Sequence, residues 1–284
     1  SIKDGNIHPD MLRKEAIRLR KQFDYEIDEG KRIPFVKPRN NKFKIYNENC
    51  ITGCQKHIKS NSIDLIINDA PFGIGEDDIG TRYARHEDNV IKGYVEVPVS
   101  KYEKFAMDVM VEVERTLRKG GSAYIFSGFQ NLRHFLNSAE KVGLEQRNHI
   151  IWKYNFGLNA TKRFISCHYH LLYFVKPPLS QVTFNEFLSD GEASEYYDRE
   201  DVWVIDREYK SPTTIKNQNE LPPKLVEKII EYSSNTGDKV MDMFMGGFTT
   251  ARSAINLGRE PLGFEINKNA YEYFLPRFHK KKRE

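Results

Sequence analysis

Residues 239–250 read Lys-Val-Met-Asp-Met-Phe-Met-Gly-Gly-Phe-Thr-Thr, a short apolar strand that passes through two glycines into a helix. Glycines let the backbone approach a ligand closely, and the first turn of a helix offers free N–H groups. Asp242 stands at the end of this strand, and Glu265 ends the next predicted strand, where an acid can bind both hydroxyls of a ribose. The pattern predicts a mostly parallel α/β sheet with a nucleoside-binding site at the carboxyl ends of its strands.

The ligand predicted for this site carries an amino-acid group and a ribose but no phosphate. The loop lacks the G-x-G-x-x-G fingerprint, a basic residue that would meet a phosphate, and a Walker A lysine. An oxidoreductase that binds a nicotinamide dinucleotide is therefore disfavoured. S-adenosylmethionine has the required groups, and Asp242 would bind its ammonium group.

Composition excludes several classes of protein and names no partner. The 284 residues carry 44 Lys and Arg against 40 Asp and Glu, a net charge of +4, which falls short of a balance that would itself indicate nucleic acid. Cys50, Cys54 and Cys167 are too few for a disulfide framework and lack the spacing of a zinc site, so we expect a reducing, cytoplasmic setting and no metal. Neither a membrane-spanning run nor the apolar core of a signal peptide is found in the sequence, so we expect no membrane partner.

Strands and helices alternate from Phe43 onward. The predicted strands are Phe43–Tyr46, Asp64–Asn68, Ser122–Phe126, His149–Trp152, Tyr169–Val175, Lys239–Met243 and Pro261–Glu265. The predicted helices run from a capping box at Ser100 and Glu103 to Gly120–Gly121, from near Pro222 to before Gly237, and from about Thr249 to Leu257. Residues 1–42 are predicted to be a charged N-terminal helical extension. Irregular insertions at about 76–99 and 177–220 are the natural places for substrate recognition.

A second motif, Asp64-Leu-Ile-Ile-Asn-Asp-Ala-Pro-Phe-Gly-Ile-Gly75, leads from an apolar strand into a stiff turn. Pro71 fixes its own φ and makes Ala70 extended. The turn presents the Asp69 carboxylate, the Ala70 carbonyl and the Phe72 ring. Two acceptors and one ring suit a planar substrate with an amino group, although a strand-end turn with a surface aspartate is the simpler alternative for this segment alone.

In order as well as in content, these motifs resemble those of the β-class amino-group DNA methyltransferases, which methylate adenine N6 or cytosine N4. Asp69-Ala-Pro-Phe72 resembles the catalytic D/S-P-P-Y/F, and Asp242-Met-Phe-Met-Gly-Gly-Phe-Thr-Thr250 resembles the cofactor motif D-P-F-x-G-S-G-T-T, which comes last. The resemblance covers roughly residues 43–275. Its other landmarks are Asn47-Glu-Asn-Cys50, Arg118-Lys-Gly-Gly121, Ile151-Trp-Lys153, Asn155, Arg163, His168, Leu221-Pro222 and Gly237-Asp238.

The resemblance implies a Rossmann-like, S-adenosylmethionine-dependent methyltransferase fold, with a twisted sheet, helices on both faces and a catalytic domain at 43–284. It implies site-specific methyl transfer to a base flipped out of double-stranded DNA, without a covalent enzyme intermediate. The implied catalytic residues are Asp69, Ala70, Pro71 and Phe72. The implied cofactor-binding residues are Asn49, Cys50, Asp69, Asp242, Phe244, Gly246, Gly247, Thr249, Thr250, Glu265 and Asn267. The expected DNA contacts are Arg82, Arg85, Arg163 and His168, and a homodimer is a further expectation.

The chain departs from the family motifs at several positions. Ala70 replaces the first proline, Leu221 replaces a lysine, and Phe248 stands where a small glycine is usual, so we expect a crowded cofactor loop.

Adenine is favoured over cytosine because an aspartate leads the adenine motif and a serine usually leads the cytosine motif. The alternatives are a cytosine-N4 enzyme, a non-catalytic DNA-binding relative, and a methyltransferase for RNA or a protein amide. A metal site at Cys167-His168-Tyr169-His170 is disfavoured, because alternate strand residues face opposite sides.

Overall fold

The computed structural model describes residues 43–73, 91–93, 95–155, 162, 164–185, 199–207 and 220–280, with backbone alone for the last four. The extension predicted at 1–42 and most of the insertions predicted at about 76–99 and 177–220 lie outside the described residues, so that division of the chain stays a prediction. The chain divides into two compact units, Ser1–Lys37 with Glu186–Glu200 and Pro38–Asn185 with Asp201–Glu284. The sheet and the helices below all belong to the second unit.

The described part of the chain contains one eight-stranded sheet. The strands are β1 (Lys44–Tyr46), β2 (Ile63–Asp69), β3 (Leu117–Ser127), β4 (Glu145–Lys153), β5 (His168–Val175), β6 (Val202–Val204), β7 (Lys239–Asp242) and β8 (Glu260–Phe264). Their order is β1-β8-β7-β2-β3-β5-β4-β6. Strand β5 pairs antiparallel with β3 and β4, and the other neighbours are parallel, so the predicted mostly parallel sheet is confirmed.

Helices cover both faces of this sheet, as predicted. They are α1 (Cys50–His57), α2 (Tyr102–Thr116), α3 (Leu132–Val142), α4 (Pro223–Ser233), α5 (Thr249–Asn256) and α6 (Lys268–Lys280). Because side chains alternate along a strand, Ile66 packs with α1, α2 and α3 on one face, while Leu65 and Ile67 pack with α4 and α5 on the other. Among the described residues, no helix is both long and apolar enough to cross a membrane.

The capping box predicted at Ser100 is wrong, and so is the helix end predicted at Gly120–Gly121. A 3₁₀ turn, Val99–Lys101, precedes α2, and the helix begins without a side-chain cap. It ends at Thr116 because Leu117 already pairs with Ile63 of β2. The two glycines lie inside β3, where the register shifts and Gly120 takes a φ of +71° against the backbone of Gln181.

The position of the candidate site follows from the strand order. Strand β7 lies between β2 and β8, and its register pairs Met241 with Ile66 and Asp242 with Gly263. All three strands are parallel, so their carboxyl ends meet at one edge of the sheet. The two sequence motifs, which are far apart in the chain, are therefore brought side by side there.

Candidate active site

A cavity of about 280 Å³ lies at this edge of the sheet. It is lined by every residue that the sequence predicted for catalysis or cofactor binding: Asn49, Cys50, Asp69, Ala70, Pro71, Phe72, Asp242, Phe244, Gly246, Gly247, Thr249, Thr250, Glu265 and Asn267. The structure therefore brings both motifs to one cavity. The chemical roles of the individual residues remain predictions.

The turn at 69–73 is held from outside by three side chains. The Tyr102 hydroxyl donates to the Pro71 carbonyl at 2.7 Å, and Asn131 Nδ2 donates to the Phe72 carbonyl at 2.7 Å. Glu96 Oε1 accepts from the Gly73 N–H at 2.9 Å. Although Ala70 replaces a proline of the family motif, the turn is thus fixed by partners on neighbouring segments.

Asp69 is half-buried at the end of β2, and opposing effects set the pKa of its side chain. Burial raises its pKa to about 7, the nearby Asp242 carboxylate also raises it, and the Arg207 guanidinium lowers it. An aspartate with such a pKa can accept hydrogen bonds as a carboxylate and can also take up a proton near neutral pH.

Asp242 is buried at the end of β7 and is turned toward the loop that follows it. Its Oδ1 accepts from the Phe244 N–H at 2.8 Å. Burial raises its pKa to about 6, and hydrogen bonds from the Thr250 hydroxyl and the Phe244 N–H lower it. A buried carboxylate of this kind is stabilised by a cationic ligand.

Glu265 follows β8 and ties the glycine loop to the start of α6. Its Oε2 accepts from the Gly246 N–H at 2.6 Å, and its Oε1 accepts from the Asn267 N–H at 2.7 Å. Burial raises its pKa to about 7 against these two hydrogen bonds. Each carboxylate oxygen can accept a second hydrogen bond.

Asn49 and Cys50 have a clear structural role at the start of α1. Asn49 Oδ1 accepts from the Ile51 N–H at 2.9 Å and the Thr52 N–H at 3.4 Å, and so caps the helix. Burial raises the pKa of the Cys50 thiol to about 12. Cys50 is therefore an uncharged thiol at neutral pH and unsuited to act as a nucleophile.

Phe248 does not crowd the cofactor loop, and that prediction is wrong. The side chain is fully buried against Tyr271 and Phe274, with ring centroids 6.4 and 5.8 Å apart, and it does not line the cavity. Its φ of +63° costs about 1 kcal/mol or more for a residue other than glycine, and burial of the ring offsets this cost. The left-handed backbone at Phe248 directs its side chain into the core, while Gly246 and Gly247 line the cavity.

Of the predicted DNA contacts, only His168 belongs to the described residues; Arg82, Arg85 and Arg163 lie outside them. His168 begins β5 and does not line the cavity. Its ring lies 5.0 Å from that of His170, whose Nδ1 is 2.7 Å from Nε2 of His149. Within the described ranges, no cluster of three or more His, Cys, Asp or Glu side chains could hold a metal ion.

Several cavity residues were not predicted from the sequence. Arg207 is the most prominent, because its guanidinium lies 5.2 Å from the Trp152 ring, 5.1 Å from Tyr154 and 5.0 Å from Tyr169. Glu220 lies against Gly247, where an added Cβ would come within 2.5 Å of the glutamate side chain. No local signal marks Arg207, since its three aromatic partners lie on other segments of the chain.

The cavity is strongly acidic. Its described lining contains the carboxylates of Glu48, Asp69, Glu96, Glu220, Asp242 and Glu265. The only basic side chain of that lining is Arg207. Such an excess of negative charge favours a ligand that carries positive charge.

An α/β sheet of this order, with a cavity at the carboxyl ends of its parallel strands, is typical of the Rossmann-like methyltransferases. Residues 63–275 match the family model described as DNA methylase, of the N6 and N4 methyltransferases. The chain belongs to this family. The family and the fold predicted from the sequence are thereby confirmed.

Two curated relatives and one solved structure illustrate the similarity. The chain is 30% identical over 229 residues to the type II methyltransferase M.HpaI of Haemophilus parainfluenzae, covering 76% of this chain and 68% of that protein. It is 30% identical over 248 residues to the DNA adenine methyltransferase YhdJ of Escherichia coli (strain K12), covering 78% of each. The crystal structure of an M1.HpyAVI–SAM complex has the same fold, with a TM-score of 0.57, 20% identity and coverage of 83% of this chain and 99% of that one.

Proposed function

We propose that this chain is a site-specific DNA methyltransferase that moves a methyl group from S-adenosylmethionine to the exocyclic amino group of a flipped base, adenine N6 in preference to cytosine N4. One observation carries the proposal. The Asp69-Ala-Pro-Phe72 turn and the acidic pair Asp242 and Glu265 line the same cavity. A methyl donor and a base could therefore meet there.

The cavity residues fit S-adenosylmethionine. When bound, this cofactor supplies an electrophilic methyl group on a positively charged sulfur. Asp242 would bind the ammonium group, and Glu265 the ribose hydroxyls. The surplus of carboxylates in the lining suits a ligand with two cationic groups. Apolar lining from Phe105, Phe244 and Ile266 is suited to a planar purine ring.

The turn at Asp69 provides what an aromatic amine requires. The lone pair of such an amine is delocalised into the ring, so the nitrogen is a poor nucleophile. Asp69 and the Ala70 carbonyl would accept the two amino hydrogens, which favours a localised lone pair, while Phe72 stacks on the base. As the nitrogen gains a methyl group it loses a proton, which Asp69 accepts or passes to water. Catalysis in this scheme is mainly positioning and electrostatics.

The substrate proposed is double-stranded DNA. Because the amino groups of a duplex are paired, the target base must leave the stack to enter the cavity. The choice of adenine is supported by the aspartate that leads the turn and by the likeness to a DNA adenine methyltransferase. The proposal includes a homodimer, a cytoplasmic location and a role as a modification methylase. The alternative of a non-catalytic relative was motivated by crowding of the cofactor loop at Phe248 and by the lysine that Leu221 replaces. The first of these reasons is lost, because Phe248 does not line the cavity.

The experiment is to incubate the protein with unmethylated DNA and S-adenosylmethionine, digest the DNA to nucleosides and identify the product by mass. We expect N6-methyldeoxyadenosine, with a defined sequence context when the sites are mapped. N4-methyldeoxycytidine would move the assignment to cytosine. No methylated nucleoside from any DNA, with the cofactor bound, would overturn the proposal.

A matched pair of variants assigns the reaction to this cavity. Asp69→Ala removes the proposed acceptor. Asp108→Ala removes a carboxylate on the surface of α2, where it pairs with Lys104 at 2.7 Å outside the cavity. We expect transfer to be lost in the first variant and kept in the second.

A further inference from the structure

Arg207 occupies a box of aromatic rings whose geometry is fixed by the sheet. Trp152 lies in β4, Tyr154 follows β4, and Tyr169 lies in β5, and each ring centroid is between 5.0 and 5.2 Å from the guanidinium carbon. Trp152 and Tyr154 are buried. Contacts of this kind stabilise a cation and leave its donors able to act on other groups.

The backbone that carries Arg207 is held in place. The Trp152 indole N–H donates to the Ile205 carbonyl at 2.8 Å, and the Ile205 N–H donates to the Lys153 carbonyl at 3.1 Å. The backbone bond continues the pairing of β6 with β4 beyond the end of β6, and the indole bond holds Ile205 against β4 from the side chain. Arg207 is therefore presented to the cavity from a fixed segment of backbone.

The aromatic box is continuous with the catalytic turn. Tyr169, one wall of the box, also packs edge-on against Phe72, with ring centroids 5.0 Å apart. Arg207 and Asp69 line the same cavity, and the positive charge of the guanidinium lowers the pKa of the Asp69 carboxyl. Leu221, which stands where the resembled motif has a lysine, lines the cavity as well. With Leu221 in place of that lysine, Arg207 is the only Lys or Arg side chain in the described lining of the cavity.

We propose that Arg207 is a positioning residue for methyl transfer: clamped by three aromatic rings in the wall of the shared cavity, its guanidinium supports Asp69 as the acceptor of the amino hydrogens of the base. This inference rests on the proposed function and adds a residue to its machinery.

The physical reason lies in the groups that face Asp69. Burial and the Asp242 carboxylate both oppose its ionisation, and the hydroxyl of Tyr102, from α2, is a neutral neighbour that interacts with it. Arg207 is the group that favours the charge. Protonation would turn one of the two acceptor oxygens of Asp69 into a hydrogen-bond donor and would leave the side chain unable to take up the proton that the amino group loses. Removing the opposite charge of Arg207 would therefore raise the pKa of Asp69.

The test is the pH dependence of kcat at saturating cofactor and DNA, for the wild type, Arg207→Gln and Arg207→Lys. We expect the acid limb of the glutamine variant to shift upward by about one pH unit or more, and that of the lysine variant to stay near the wild type. Lys228→Met is the matched control, because Lys228 lies over the Trp203 ring at 4.8 Å and does not line the cavity. Its profile should equal that of the wild type.

A direct readout separates this inference from the proposed function. Carbon-13 carboxyl titration of Asp69 in the free protein, assigned with Asp69→Asn, needs no turnover. A higher apparent pKa of Asp69 in Arg207→Gln supports the inference, and an unchanged value overturns it. If the wild type titrates as expected but transfers no methyl group, the proposed function alone fails. If the glutamine variant does not fold, Arg207→Met keeps the apolar stem among the rings and removes the charge.

Discussion

Asn68 and Met243 join the two motifs of the cavity through a pair of buried contacts. Asn68 Oδ1 accepts from the Met243 N–H at 3.1 Å, and its Nδ2 donates to the Met243 sulfur at 3.3 Å. Asn68 precedes Asp69 in β2, and Met243 follows Asp242 at the end of β7. One amide thereby fixes the separation between the proposed catalytic carboxylate and the proposed cofactor-binding carboxylate.

Asn68→Ala would leave the Met243 N–H buried without its acceptor. We expect the free energy of unfolding in urea to fall by about 1–3 kcal/mol, since an unsatisfied buried donor loses its full solvation. Asn148→Ala is the matched control, because Asn148 is exposed on β4. An equal effect of the two substitutions would contradict the role of Asn68 as a buried link.

Asp242→Ala would remove a buried carboxylate that the proposal assigns to the ammonium group of the cofactor. We expect the affinity for S-adenosylmethionine to fall about tenfold or more, the loss of a charged hydrogen bond, while DNA affinity changes little. Isothermal titration calorimetry measures the first and a DNA-binding assay the second. An unchanged cofactor affinity would remove Asp242 from that role.

The stability of the protein should depend on pH through the carboxyl groups of Asp242 and Glu265. Burial raises the pKa of Asp242 to about 6 and that of Glu265 to about 7, above their values in an unfolded chain. Between about pH 4 and 7 the folded state therefore holds more protons than the unfolded state, and these groups make the free energy of unfolding fall as the pH rises. Asp242→Asn cannot ionise, so its stability relative to wild type should rise by about 2–3 kcal/mol from about pH 4 to pH 8. Two parallel urea-denaturation profiles would contradict this assignment.

Phe248→Leu separates packing from cofactor binding. Because the ring is buried against Tyr271 and Phe274 and lies outside the cavity lining, we expect a loss of about 1 kcal/mol or more in unfolding free energy and an unchanged affinity for S-adenosylmethionine. A tighter cofactor complex in the leucine variant would mean that Phe248 does crowd the loop.

The parts of the site that could be predicted from the sequence are those with a local signature. Asp69 and Asp242 each end an apolar run and precede a turn rich in proline or glycine, so the parallel sheet alone brings them together. Arg207 follows a three-residue strand that pairs with β4 across a long connection, and its partners come from elsewhere in the chain. No periodicity in the residues around it indicates such a place.

The errors have local causes as well. Gly120–Gly121 resembles a helix end, yet Leu117 has already joined β2, and the glycines provide a bulge in β3. Phe248 follows two glycines in the loop, and only its left-handed backbone turns the ring into the core. In both errors the backbone conformation of a single residue determines the local structure, and amino-acid composition does not indicate that conformation.

The central claim is that the Asp69 turn performs the chemistry while Asp242 and Glu265 hold the cofactor. It is tested most directly by measuring labelled methyl transfer to duplex DNA and cofactor affinity together in Asp69→Ala. The account predicts that transfer falls to background while the calorimetric affinity for S-adenosylmethionine stays within about threefold of wild type, less than 1 kcal/mol. Transfer at the wild-type rate in a folded Asp69→Ala protein, or loss of cofactor binding with folding intact, would contradict it.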